Sequence, residues 1–166
     1  MNVVFSGDEL IKIAIDIERR GISFYDVMAK STDSDLARAV FGNLAEMERE
    51  HLKTFQDMLA ESGGNASTEG PATELPDHIQ TIIDEAVFSD DLITSEIAMQ
   101  ADTDIKAVEL GISAEKDSLL FYYEMKENMP HRAVPVLNRI ISEEKLHLRQ
   151  LSGVRKKLAG LEQSQT

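Results

Sequence analysis

One pattern occurs twice in this chain. IERRGISFYDVM at 17–28 matches AEKDSLLFYYEM at 114–125, and LAEMEREHL at 44–52 matches IISEEKLHL at 140–148. The offsets are 97 and 96 residues, so Glu18 aligns with Glu115, Tyr25 with Tyr122, Glu48 with Glu144 and His51 with His147. Every matched segment carries apolar residues at spacings of three and four, the period of an amphipathic helix. Two helical hairpins related in this way predict an all-α, four-helix bundle. The chain is read as a single domain over 1–166, because neither half alone can bury its apolar faces.

The helices are predicted at about 7–29, 35–60, 102–128 and 132–158. Ser6 and Glu9 form a candidate capping box before the first. STDSD at 31–35 separates the first two and offers N-caps. The glycines of SGGN, 62–65, suit a C-terminal cap for the second. Met129 and Pro130 break the third, and Pro135 is tolerated in the first turn of the fourth. Residues 62–76, rich in Gly, Ser, Thr and Pro, begin a long crossover with a short extra helix at about 77–88 and another short piece at 95–100. EQSQT at the end is expected to fray. No strand alternation is visible.

The interior-facing stripes contain carboxylates. Glu18 shares its face with Ala14, Gly21 and Tyr25, and Glu115 with Val108, Gly111, Ile112, Leu119 and Tyr122. Glu48 lies among Phe41, Leu44, Ala45, His51 and Phe55, and Glu144 among Leu137, Ile140, Ile141 and Leu151. Glu46, by contrast, has polar neighbours at those spacings and reads as solvated. Four buried carboxylates cannot all stay charged and unaccompanied. Two divalent cations remove the difficulty, with two neutral imidazoles completing the coordination. Di-iron and di-manganese carboxylate bundles use this arrangement, with one Glu from each of two helices and Glu-x-x-His from each of the other two. The candidate metal ligands are therefore Glu18, Glu48, His51, Glu115, Glu144 and His147. Such oxygen-rich ligation with one His per metal favours iron or manganese, and zinc can occupy the same donors. A lone core histidine is more often a satisfied packing residue; the paired motif with two further core glutamates is what carries the metal reading. His78 and His131 lack such partners and read as surface or loop residues.

Tyr25 and Tyr122 are candidate catalytic-site residues, each seven positions after a candidate ligand. Core aromatics are the simpler reading; the functional one is a hydroxyl hydrogen-bonded to a ligand carboxylate across the bundle, or a nearby radical source. The methionines read as core filler, and the acidic run at 84–91 as a solvated face.

These motifs resemble the ferritin-like superfamily, and within it the rubrerythrin family, across all four main helices. The resemblance implies a non-haem di-iron bundle, an oxidoreductase that reduces hydrogen peroxide or oxygen, or one that oxidises ferrous iron. Three departures limit it. The chain has no cysteine, so the rubredoxin domain that feeds electrons to such sites is missing and an external electron donor is expected. Many rubrerythrins carry a further Glu one turn after the third-helix ligand, where this chain has Ser118, so a symmetric six-ligand site is expected. The long connector differs from the compact cage-forming layout of ferritins, and no room remains for a substantial fifth helix.

The expected function is a rubrerythrin-like di-iron protein, with Glu48 and Glu144 as bridging carboxylates and two Fe ions as cofactor. Alternatives are a ferroxidase or iron-handling protein, a di-manganese catalase and a non-catalytic metal-binding bundle. A net charge of −13 argues against nucleic acid or anionic membranes as partners. The N-terminus lacks the basic and apolar regions of a signal peptide, and no apolar run reaches membrane-spanning length, so a cytoplasmic location is expected. A homodimer is expected too, with exchange of helix pairs permitted by the connector.

Overall fold

The computed structural model describes residues 4–62, 73–74 and 103–163. Four long helices dominate: α1 (Gly7–Ser31), α2 (Asp35–Glu61), α3 (Asp104–Asn128) and α4 (Val134–Gln163). A 3-10 turn, His131–Ala133, leads into α4 and leaves His131 exposed, as expected for a loop histidine. A two-residue antiparallel bridge joins β1 (Val4–Phe5) to β2 (Thr73–Glu74). So short a ladder leaves no alternation to read. The helix at 77–88, the piece at 95–100, the glycine cap, His78 and the acidic run lie outside the described residues. The fourth helix runs five residues past its expected end, to Gln163, so Glu162 and Gln163 belong to it and not to a frayed tail.

The ends of the helices follow local chemistry. Ser6 Oγ accepts from Glu9 N at 3.3 Å while Ser6 N donates to Glu9 Oε2 at 2.6 Å, completing the capping box. Ser34 and Thr103 cap α2 and α3 through their hydroxyls. Asp104 has a part that periodicity could not reveal. Its carboxylate accepts from Thr32 Oγ1 (2.5 Å), Asp33 N (3.2 Å) and Ser34 N (2.8 Å), tying the start of α3 to the α1–α2 turn.

Helix α1 packs mainly on α2 and α3 on α4, and the two pairs meet along α1–α3 and α2–α4. The core has two apolar layers. One contains Phe24, Tyr25, Met28, Ala37, Phe41, Leu44 and Ala45 with Ala107, Val108, Ile112 and Leu151. The other contains Phe121, Tyr122, Met125, Ala133, Leu137, Ile140 and Ile141 with Leu10, Ile11, Ile15 and Phe55. Shifted by the repeat offsets, the first set becomes the second, as a two-fold rotation between the hairpins requires. Each layer combines the C-terminal half of α1 or α3 with the N-terminal half of its hairpin partner. Helices within a pair therefore run antiparallel, and so do α1 with α3 and α2 with α4. The end of α2 then lies at the opposite end of the bundle from the start of α3, so residues 62–103 must bridge the bundle's length, roughly 40 Å for a helix like α2.

Asp104→Ala is expected to lower unfolding free energy by about 1–3 kcal/mol through loss of charge-assisted hydrogen bonds to a helix turn. Urea denaturation followed by helical circular dichroism checks this, and a loss below a few tenths would deny the tie its structural role.

Candidate metal centre

Between the two apolar layers lies a polar one. Glu18, Glu48, His51, Glu115, Glu144 and His147 are each at most 4% exposed, one set from each hairpin. Burial of a carboxylate on an amphipathic helix needs the turn above and below it to be apolar, and the repeat supplies that in all four helices. Glu46 and Glu50, on the same helix as Glu48, are exposed.

The six side chains form two overlapping groups. Glu18, Glu48, His51 and Glu144 make one; Glu48, Glu115, Glu144 and His147 make the other. Each group offers one donor atom per residue, all within 4.8 Å of one another. Glu48 and Glu144 belong to both and divide their oxygens between them. Glu48 Oε2 is 3.0 Å from His51 Nδ1, and Glu48 Oε1 is 3.3 Å from His147 Nδ1. Glu144 Oε1 is 3.0 Å from His51 Nδ1, and Glu144 Oε2 is 3.2 Å from His147 Nδ1. Glu18 Oε2 stands 3.7 Å from His51 Nδ1 and Glu115 Oε1 3.5 Å from His147 Nδ1. The rings lie nearly parallel, their centres 5.5 Å apart.

Two tyrosines close the layer. Tyr25 donates its hydroxyl hydrogen to Glu115 Oε1, and Tyr122 donates to Glu18 Oε1, each crossing between α1 and α3. Burial, followed by the neighbouring carboxylate, raises both phenols well above their ordinary range, so they stay donors. Tyr25 stacks on Phe41 and Tyr122 lies tilted against Phe55. Gly111 gives Tyr25 its place: a Cβ there would sit 3.5 Å from the tyrosine ring and 3.3 Å from Leu151. Both tyrosines are thus buried core aromatics whose hydroxyls also hydrogen-bond carboxyl groups across the bundle.

The protonation pattern is that of a neutralised cluster. Burial, and then the charge of Glu48, raises Glu18 well above the usual carboxylate range. Burial, then Glu144 and Glu48, raises Glu115 likewise. Burial acts on Glu48 and Glu144 as well, but contacts with the imidazoles, and with Glu18 or Glu115, outweigh it and hold both below that range. Burial opposes charge on the imidazoles, yet the surrounding carboxylates win. They push His147 up to about 12 and raise His51 in the same sense. Without cations, these directions favour two protonated carboxyls, two carboxylates and two imidazolium ions, which sum to neutrality.

That state leaves atoms unserved. Both Glu144 oxygens and both His147 ring nitrogens are buried with no hydrogen-bond partner, although Glu144 Oε2 lies 3.2 Å from His147 Nδ1. Buried polar atoms are otherwise almost always paired. Atoms converging from several helices with lone pairs aimed inward are what divalent cations require, and the donor set fits a two-metal site with oxygen-rich ligation.

Periodicity missed Glu143. Its Oε2 lies 2.8 Å from His51 Nε2, on the outer side of the ring. The signal was the doublet Glu143-Glu144, where the other half of the repeat has Met47-Glu48. Ser118, at the position where many rubrerythrins carry an extra Glu, is buried beside the layer.

The rubrerythrin family model matches residues 9–154. A crystal structure of a Thermotoga maritima protein described as ferritin-like and diiron-carboxylate is similar at 25% sequence identity and a TM-score of 0.71. The match covers 94% of this chain and 98% of that one. A search of curated proteins finds no significant match.

Replacing Tyr122 or Tyr25 by Phe strips a buried carboxyl of its donor, which costs about 1–3 kcal/mol. Because the two tyrosines are equivalent under the repeat, equilibrium unfolding is expected to show comparable losses for both. A loss in one and none in the other would contradict that equivalence.

Proposed function

As the chain belongs to the rubrerythrin family, we propose that its six buried ligand candidates hold two iron ions for the reduction of peroxide or oxygen. The observation that carries this reading is the division of oxygens within Glu48 and Glu144, each carboxylate facing both imidazoles. Glu48 and Glu144 would help hold both cations, while Glu18 with His51 and Glu115 with His147 would hold one each. Iron bound there supplies the electrons that reduce peroxide or oxygen to water. The rest is the protein's own work. Tyr122 holds Glu18 through Oε1 and leaves Oε2, the oxygen facing His51, free to ligate, whereas Tyr25 holds Glu115 through Oε1, the same oxygen that faces His147. The apolar layers above and below exclude bulk water and strengthen every charge interaction between them. With no cysteine in the chain, the electrons come from an external donor. The homodimer expected from the connector belongs to the same proposal and is checked by sedimentation.

The test is metal analysis of the protein as produced, followed by mixing of the ferrous form with peroxide or with air. Two irons per chain and rapid, peroxide-dependent oxidation are expected. Faster reaction with oxygen than with peroxide would favour the ferroxidase reading. Peroxide disproportionation without a reductant by a manganese-loaded protein would favour the catalase. The double variant Glu48→Gln, Glu144→Gln is expected to lose both ions; unchanged metal content would overturn the reading.

Protons compete for the same atoms. In the metal-free protein burial and neighbouring carboxylates shift Glu18 and Glu115 upward, and the surrounding carboxylates shift His51 and His147 upward, so all four favour their protonated forms, and a ligand must give its proton up. The metal-free state therefore binds more protons than the loaded one, so affinity rises with pH and falls steeply as pH drops from 8 to 6. Calorimetry in buffers of different ionisation enthalpy reads the protons released, expected to be several per metal pair. An affinity independent of pH over that interval would contradict the protonation pattern.

A further inference from the structure

Behind the two imidazoles, the repeat breaks at one position. Each imidazole turns Nδ1 inward, toward the bridging carboxylates. Their outer nitrogens differ. His51 Nε2 is 2.8 Å from Glu143 Oε2, whereas His147 Nε2 is buried with no hydrogen-bond partner. Shifted by the repeat offset, Glu143 becomes Met47, a thioether that accepts weakly from Asn43 Nδ2 at 3.5 Å. A carboxylate can fix an imidazole from outside; a methionine at the matching position cannot.

We propose that Glu143 is a positioning residue that makes the two metal positions unequal, so that a divalent cation binds first and more tightly in the His51 group (Glu18, Glu48, His51, Glu144) than in the His147 group. This rests on the two-metal reading above. With Nε2 donating its hydrogen to Glu143, the tautomer of His51 is fixed and the Nδ1 lone pair is left for the cation. The negative partner makes the ring a stronger donor, and the hydrogen bond holds its plane. It also spans from α4 to α2, helices of different hairpins, so the bond sets the approach of the two halves on that side of the layer. Glu143 and Glu144 are consecutive, so one turn of α4 supplies both a bridging carboxylate and the outer support of the opposite histidine. Glu143 is also about a third exposed, at 37% for its side chain. The His51 position therefore has a polar link toward solvent, while His147 is sealed at 0%.

The test is titration of the metal-free full chain with Co(II), read by visible absorption against a competing chelator. The native protein is expected to take up two ions in two resolved steps. Glu143→Gln keeps an acceptor but removes the charge, and Glu143→Ala removes both. The tighter step is expected to weaken by about 10- to 100-fold in the alanine variant and less in the glutamine variant, with the weaker step unchanged. Met47→Glu restores the repeat and is expected to tighten the weaker step, an outcome that no general loosening of the bundle produces. Circular dichroism on each variant confirms retained helix. Equal affinities in the native protein, equal weakening of both steps in Glu143→Ala, or no response of either step to Met47→Glu would overturn the inequality while leaving the two-metal reading standing. Failure of the native chain to bind Co(II) at all would overturn both.

Discussion

Four carboxyl groups lie in one layer of a helical core, with two imidazoles between them. Ionised and unaccompanied, such a layer would cost several kcal/mol per charge, more than a domain of this size has to spare. The protein meets the cost by sharing protons. Burial and repulsion favour the protonated forms of Glu18 and Glu115, contacts with the imidazoles favour ionised Glu48 and Glu144, and the carboxylates favour charge on both histidines. This balance still leaves buried atoms of Glu144 and His147 without hydrogen bonds. Two divalent cations would replace the shared protons and give the Glu144 oxygens and His147 Nδ1 partners, with charge again summing to zero. The apolar layers, the tyrosine hydroxyls and the space left by Gly111 all serve to hold this one layer in register.

The internal repeat gives the layer its geometry. Matching residues from the two hairpins build matching apolar layers on either side of the polar one, so the ligand candidates fall in pairs about the middle of the bundle. The same arrangement places the end of α2 and the start of α3 at opposite ends, which makes a long crossover unavoidable. Symmetry is not complete, however. Ser118 stands where the first half has Gly21, and Glu143 where it has Met47. Both differences fall next to the polar layer, and the second places a charged group behind one imidazole only.

The chain belongs to the rubrerythrin family and its backbone is like that of a ferritin-like diiron-carboxylate protein. The departures bear on chemistry more than on fold. A chain without cysteine has no thiolate cluster to pass electrons inward. With Ser118 in place of a carboxylate, the layer keeps four acids and two imidazoles, a set that two divalent ions neutralise without remainder.

The local facts were legible in the sequence because they depend on neighbours along the chain. Period, caps and breaks placed the four helices to within a few residues, except at the end of α4, where the helix continues to Gln163 through residues with no apolar stripe to announce it. The six ligand candidates were legible for a further reason: a carboxylate with apolar residues one turn away on both sides has nowhere to point but inward. Which atoms meet across the bundle was not legible. The division of the Glu48 and Glu144 oxygens between two histidines, the pairing of Tyr25 with Glu115 and of Tyr122 with Glu18, and the reach of Asp104 to the α1–α2 turn all depend on the distance and rotation between helices far apart in sequence. Glu143 shows the limit best. From periodicity it is an ordinary half-exposed helical acid, and only the approach of α4 to α2 sets it behind His51. The sequence by itself determined which residues are buried and which are acids or bases; the tertiary structure decided which of them touch, because contact across a bundle is set by helix packing and not by spacing along any one helix.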